Sequence, residues 1–358
     1  MRVSAAPAGA PNAEASDAEA PNAGMPNAEP AGRRPRVVAL FTGGTISMRR
    51  DEGAGGAVPA LGAEEMLGAA HGVEAVADVA AEQWGRFPGP HMTLARQWAL
   101  RGRIAELAAD PAVDGVVVTH GTDTLEETAY LVARSVATPK PVVFTGAMRA
   151  ASDLGYDGPQ NLLDAVRVAA DPESRAHGVV VVMGGGIFAA LEDTKAHTHQ
   201  LDAFEAPGLG PLGSIDEDHV LYRRRLVNVP PVIAPAAPAE PVDIVTTWAG
   251  ADARLLDASR ESGARGVVVA AMGRGNVPPE VVPGIARWVE AGRPVVITSR
   301  VGRGRVGQTY AYPGGGRKLY ELGALFAGAR RPAQARVDLM LALGAGYGPE
   351  ALRALFAA

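Results

Sequence analysis

A threonine that follows a strand and two glycines is the first residue of this chain placed for chemistry. Thr42-Gly43-Gly44-Thr45 closes the run Arg36–Phe41, RVVALF. Paired glycines let a backbone turn sharply and approach a ligand closely, leaving the Thr45 hydroxyl at the exit. That hydroxyl attacks a carbonyl only when a neighbour takes its proton; otherwise the same four residues are a glycine turn with a capping threonine. A second cluster, His120-Gly121-Thr122-Asp123-Thr124-Leu125-Glu126-Glu127-Thr128, ends another apolar run and opens a helical pattern. It reads as a helix start, with Asp123 or Thr124 as cap and Glu127 as capping-box partner. It reads equally as a hydroxyl and a carboxylate delivered to a sheet edge, where the carboxylate can anchor an ammonium group or orient a base. The third cluster is Glu192-Asp193-Thr194-Lys195. Exposed beside Asp193, Lys195 is a weak surface pair; buried beside Thr122 and Asp123, it would serve as a base.

Positioning these groups requires a sheet. Val-rich runs recur at Arg36–Phe41, Gly115–Thr119, Pro141–Thr145 and Gly178–Met183, separated by helical patterns over Thr93–Ala109, Thr124–Val136 and Pro159–Ala170. Continuous apolar strands alternating with helices predict a parallel sheet covered on both faces, with ligands at the carboxyl ends of its strands. Three of the four strands end in Thr, Gly or both, as a crowded polar pocket needs. The stretch 223–240 contains VNVPPVIAPAAPAE and reads as an extended proline-rich linker. A second alternating set follows, with strands expected at Val242–Trp248, Gly266–Ala271 and Pro294–Ser299 and helices at Pro279–Ala291, Lys318–Ala327 and Pro332–Gly344. The expected architecture is α/β, with a larger N-terminal parallel-sheet domain over 36–222 and a smaller C-terminal α/β domain over 241–358. Residues 1–35, rich in Ala, Pro, Asn, Gly and Glu, read as a disordered tail.

Composition narrows the function. A net charge of −5 leaves no footprint for nucleic acid or an anionic membrane surface. With no cysteine, disulfide, thiolate and Cys-metal chemistry are closed to this chain. No apolar run reaches the ~20 residues of a spanning helix, and the N-terminus has neither the basic start nor the apolar stretch of a secretory signal; a cytoplasmic location is expected. His197 and His199 alternate like a metal pair but lack a third ligand, so no metal is expected. Gly302–Gly307, GRGRVG, matches no phosphate loop or dinucleotide fingerprint.

Taken together, TGGTI (Thr42–Ile46), THGTDTLEETAY (Thr119–Tyr130), PVVFTGAMR (Pro141–Arg149), DGPQNLLDAV (Asp157–Val166) and DTK (Asp193–Lys195), in that order, resemble the bacterial L-asparaginase/glutaminase family. The similarity runs from about Arg36 to the C-terminus. It implies a threonine amidohydrolase that needs no cofactor and self-associates as a homodimer or homotetramer with sites at subunit contacts. Carried over by position, Thr45 matches the nucleophile, and Thr122, Asp123 and Lys195 the second catalytic set. Asp123 would also hold the substrate's α-amino group, and Asn276, from the neighbouring subunit, would touch the substrate. The implied reaction is attack on the side-chain amide of L-asparagine, release of ammonia and hydrolysis of an acyl-threonine by water, with glycine-turn N–H groups stabilising the oxyanion.

Two departures stand out. The family carries a lid tyrosine shortly after its first motif, whereas Met48–Met66 here has none and Gly56 occupies the aligned place. The family's polar Ser-Gln pair for the substrate carboxylate corresponds to Pro88-Gly89-Pro90-His91-Met92, so Gly89, Pro90 and His91 are the expected substitutes. Tyr310 or Tyr312 could supply the missing phenol from a neighbouring chain. Glutamine, D-asparagine, or binding without turnover are the alternatives these departures leave open.

Overall fold

The computed structural model describes residues Arg33–Ala357; the tail expected over 1–35 falls outside the described residues up to Gly32. The first apolar run is β1 (Arg36–Gly43), buried at all but its first residue. It leads through one 3-10 turn (Thr45–Ser47) into a hairpin of β2 (Met48–Asp51) and β3 (Gly56–Pro59). Helices α1 (Ala63–Ala69) and α2 (Val73–Val76) precede β4 (Asp78–Phe87). Then α3 (Leu94–Ala109) leads to β5 (Gly115–Thr119), α4 (Leu125–Ser135) to β6 (Val142–Thr145), and α5 (Gly158–Ala170) to β7 (Val179–Met183). Strands β4, β1, β5, β6 and β7 lie side by side and parallel. The apolar middles of β1, β5, β6 and β7 are buried because helices cover both faces, while β4 lies half-exposed at the edge.

The sheet is not wholly parallel. After β7 the chain turns back through β8 (Gly186–Ala189), leaves for a two-stranded ribbon of β9 (Thr194–Lys195) and β10 (Phe204–Glu205), then returns as β11 (Gly213–Asp216) and β12 (His219–Tyr222). Strands β8, β11 and β12 extend the sheet antiparallel, giving the order β12-β11-β8-β7-β6-β5-β1-β4. The expected parallel sheet is present as β4-β1-β5-β6-β7, and an antiparallel flank of β8, β11 and β12 adds to it. Tight turns made this possible: Gly184 and Gly185, both with positive φ, reverse the chain between β7 and β8.

The second sheet is parallel throughout: β13 (Val242–Thr246), β14 (Gly266–Ala271), β15 (Val295–Ser299) and β16 (Leu325–Phe326), in that order. Helices α6 (Arg254–Glu261), α7 (Val282–Glu290), α8 (Gly316–Glu321), α9 (Pro332–Gly344) and α10 (Pro349–Ala357) pack around it. The helix expected over Lys318–Ala327 is a correction: α8 stops at Glu321, Gly323 takes φ 103°, and Leu325–Phe326 joins the sheet. A glycine in the left-handed region just past a helix end is a common C-terminal stop.

Helix α4 is buried nearly all round because α9 covers the face that the first sheet does not. Across that contact Arg134 pairs with Asp338 at 2.6 Å, both almost fully buried, while the Tyr130 hydroxyl donates to the same carboxylate at 3.1 Å. The tyrosine that ends the second motif is thus a fastener between the two sheets' helices. Among the described residues no helix is long and apolar enough to cross a membrane.

Candidate functional site

Strands β1, β5 and β6 are neighbours, so their carboxyl ends open on one edge. Several of the hydroxyls there are structural. Thr42 Oγ1 donates to Thr119 O at 2.8 Å and Thr145 Oγ1 to Val182 O at 2.8 Å, both fully buried. They cross-link strand ends and are closed to a substrate.

Beyond those threonines three loops meet backbone to backbone. A Cβ on Gly44 would lie 2.5 Å from Gly121 N, and a Cβ on Gly121 would lie 2.5 Å from Gly89 Cα. Gly44 also takes φ 85°, which a side chain resists. Its N–H bonds Phe87 O at 2.9 Å. The glycines are therefore what let the Thr45 turn, the His120–Asp123 loop and the Gly89–His91 turn share one small region. Replacing Gly121 with alanine should cost about 1–3 kcal/mol of stability by overpacking, together with most of the activity. A melting temperature and turnover both at wild-type values would contradict the close approach.

At this junction Lys195 reaches in from β9. Its Nζ donates to Thr122 Oγ1 at 2.9 Å and to Asp123 Oδ1 at 2.6 Å, across more than 70 positions of chain. The Lys195 side chain is 17% exposed and that of Asp123 57%, so the pair sits at a mouth with the lysine on its inner side. Of the two readings of Lys195, the contact is with Thr122 and Asp123, not with Asp193. The backbone is held as well: Glu126 accepts the Lys195 N–H at 2.7 Å, and Arg331 bonds the carbonyls of Glu192 and Asp193. Asp193 points the other way and is fully buried, neither carboxyl oxygen meeting a hydrogen-bonding protein group. Burial pushes its pKa well above the usual carboxylate range, Glu126 adding to the shift and Arg331 opposing it.

The capping expectation for α4 needs correction. Neither Asp123 nor Thr124 caps the helix with its side chain; Thr124 Oγ1 donates instead to Gly89 O at 2.8 Å, stitching the second loop to the third. Glu127, expected as capping-box partner, lies 3.8 Å from Arg336. Gly89 is buried beside Asp123, while Pro90 and His91 are exposed on the rim. Thr45 is half-buried at the head of its turn. Asn276 lies in the second sheet's loop, where its side chain accepts the Gly316 N–H at 3.2 Å; within one chain it is not part of the threonine–lysine cluster. Tyr310 and Tyr312 lean on each other at 5.6 Å, both exposed. His197 Nδ1 accepts the N–H groups of His199 and Gln200, and no group of three or more metal-type ligands occurs among the described residues.

His120 sits directly behind Gly121. It is fully buried, its Nδ1–H donates to Gly121 O at 2.9 Å, and burial brings its pKa down to about 4. Between pH 6.5 and 4 the unfolded chain takes up this proton and the folded chain does not. Stability therefore falls as pH falls through that window, by up to about 3 kcal/mol from this group. Denaturant midpoints at pH 7.5 and 4.5 should differ more in the wild type than in His120→Gln; equal differences would refute the assignment.

Sequence comparison gives the arrangement its relatives. Residues 36–228 match the asparaginase N-terminal family, and residues 241–356 match the glutaminase/asparaginase C-terminal domain. The chain belongs to the asparaginase family. A probable L-asparaginase of Deinococcus radiodurans is 39% identical over 326 residues, covering 90% of this chain and 97% of that protein. An L-asparaginase of Bacillus licheniformis is 34% identical, with 86% and 95% covered. The crystal structure of a probable cytoplasmic L-asparaginase from Campylobacter jejuni superposes with a TM-score of 0.81 at 31% identity, covering 90% of this chain and 99% of that one. The shared fold of asparaginases, a large mixed sheet and a smaller parallel one, is the fold described above.

Two members of the site were not visible in the sequence reading. Glu126 belongs to the second motif, but its target amide lies 69 positions away. Tyr156 lies between motifs, and its hydroxyl reaches the turn of Thr45.

Proposed function

We propose that this chain hydrolyses L-asparagine to L-aspartate and ammonia, with Thr45 as nucleophile. The observation that carries the reading is the Lys195 ammonium bonded at once to Thr122 and Asp123, beside the glycine turn that presents Thr45. Thr45 Oγ1 attacks the side-chain amide carbon, and its proton passes to the departing nitrogen, which leaves as ammonia. Water, activated by the Thr122–Lys195 pair, then cleaves the acyl-threonine. N–H groups of the glycine turns stabilise the tetrahedral oxyanion. Asp123, half open to solvent, receives the substrate's α-ammonium group, and Gly89 with the exposed Pro90 and His91 meets its carboxylate.

The catalytic set belongs to a domain over 36–222 that the proline-rich segment 223–240 joins to a domain over 241–358. Two or four copies associate, and a neighbouring copy supplies Asn276; the protein works in the cytoplasm. Ammonia release from L-asparagine, L-glutamine and D-asparagine tests the reading. L-Asparagine should turn over fastest. Release from none of the three, with aspartate still bound, would replace it with an amino-acid-binding role. That alternative is motivated by the hairpin β2–β3, which holds no tyrosine.

A further inference from the structure

The Thr45 turn is held on two sides. One is the glycine junction with the second loop. The other is the segment after β6, which runs from Gly146 to Asp157 and passes under the turn. It is itself rigidly built: the Asp157 carboxylate accepts the N–H groups of Met148 at 3.0 Å and Arg149 at 2.9 Å, and Asn161 bonds both Asp157 and Gly146 O. From this support the Tyr156 hydroxyl donates to Ile46 O at 2.5 Å, across 110 positions of chain. Ile46 is the residue after Thr45, and its own side chain is fully buried in the core against which Tyr156 packs. The carbonyl that Tyr156 grips is therefore that of the turn's central residue.

Two features make the contact specific. A Cβ on Gly158 would lie 2.3–2.4 Å from the hydroxyl and ring of Tyr156, so the ring occupies the space a side chain at 158 would fill. Burial also pushes the phenol up to about 12, so it remains a donor throughout the working pH range. The same segment makes weaker links further along: Ala151 N–H to Met48 O at 2.8 Å and Arg50 N–H to Ser152 Oγ at 3.0 Å, the latter on the exposed hairpin.

We propose that Tyr156 is a positioning residue for catalysis, its hydroxyl fixing the orientation of the Thr45–Ser47 turn through the Ile46 carbonyl. The role rests on reading Thr45 as the attacking group. A nucleophile acts only when held in attack geometry, and small displacements there lower turnover more than affinity. Tyr156 thus controls a step it does not touch.

The test uses four variants of the full chain with asparagine as substrate. Tyr156→Phe keeps the ring and deletes the hydrogen bond. Gly158→Ala keeps the hydroxyl and pushes the ring away, at a helix position where alanine is favoured over glycine. Both should lower kcat roughly three- to tenfold, the worth of one hydrogen bond, with KM within about twofold; Tyr156→Phe should melt close to wild type and Gly158→Ala lower, because its methyl displaces a packed ring. Ser152→Ala, which removes only the hairpin link, should turn over at the wild-type rate. Wild-type kcat in Tyr156→Phe would overturn the proposal, as would a rise in KM at constant kcat. Thr45→Ala separates the layers: if it is inactive while Tyr156→Phe is unimpaired, only the positioning role is lost. If Thr45→Ala still turns over, the nucleophile assignment fails with it.

Discussion

Thr45→Ala should reduce ammonia release from asparagine by on the order of 10³-fold or more, because no second nucleophile occupies the same place. The fold should survive. The turn is shaped by Gly44 N–H to Phe87 O and by Ser47, whose N–H and hydroxyl both bond Gly44 O, none of which uses the Thr45 side chain. Thr45 is also only half-buried, so a methyl in place of the threonine side chain leaves little cavity. A melting temperature within a few degrees of wild type and an intact affinity for aspartate would assign the whole loss to chemistry. Thr45→Ser should retain part of the rate, since the hydroxyl is kept. Turnover of Thr45→Ala within tenfold of wild type would remove this residue from the mechanism.

The second large effect is expected at Lys195. Lys195→Met should lower kcat by about 10²–10⁴-fold, the usual worth of a group that moves a proton. Stability should change little: β9 is held through backbone pairing with β10 and through Glu126 on the Lys195 N–H, both independent of the side chain. The stranded Asp123 is open to water, and an exposed ion pair contributes at most about 1 kcal/mol. Asp123→Asn should differ in kind, raising KM for asparagine as well as slowing turnover, if Asp123 receives the substrate's ammonium group as proposed. A Lys195→Met enzyme with near-normal kcat would leave the Thr122–Lys195 contact without a catalytic purpose.

Much of the sheet was legible because buried parallel strands write themselves as unbroken Val runs: β1, β5, β6 and β7 all did. β4 was missed for the opposite reason. It is the edge strand beside β1, half-exposed along its length, and Asp78–Phe87 carries Asp, Gln and Arg at exposed positions and Glu at a half-buried one. The reversal into β8, β11 and β12 was hidden by short strands and by a turn at Glu217, a non-glycine residue at φ 53°. In the site, each cluster was visible, and the resemblance grouped Lys195 with Thr122 and Asp123, but the residues alone left the partner of Lys195 open. Nothing local announces that Lys195 will bond Asp123 rather than Asp193, two residues away. The fold decides it by burying Asp193 and turning Lys195 toward Thr122 and Asp123. Thr124 misled because a threonine at a helix start suits a cap, and only the nearness of Gly89 gave it a better partner.

The glycine junction has a practical consequence for anyone wishing to retune the enzyme. With Gly121 pressed against the backbones of both Gly44 and Gly89, randomising codons 44 and 121 would yield chiefly misfolded products. The neighbouring rim is different: Pro90 and His91 stand open, and changing them displaces nothing. A saturation library confined to those two positions, screened on longer or inverted amides, would vary the proposed carboxylate contact while leaving Thr45, Thr122, Asp123 and Lys195 in place.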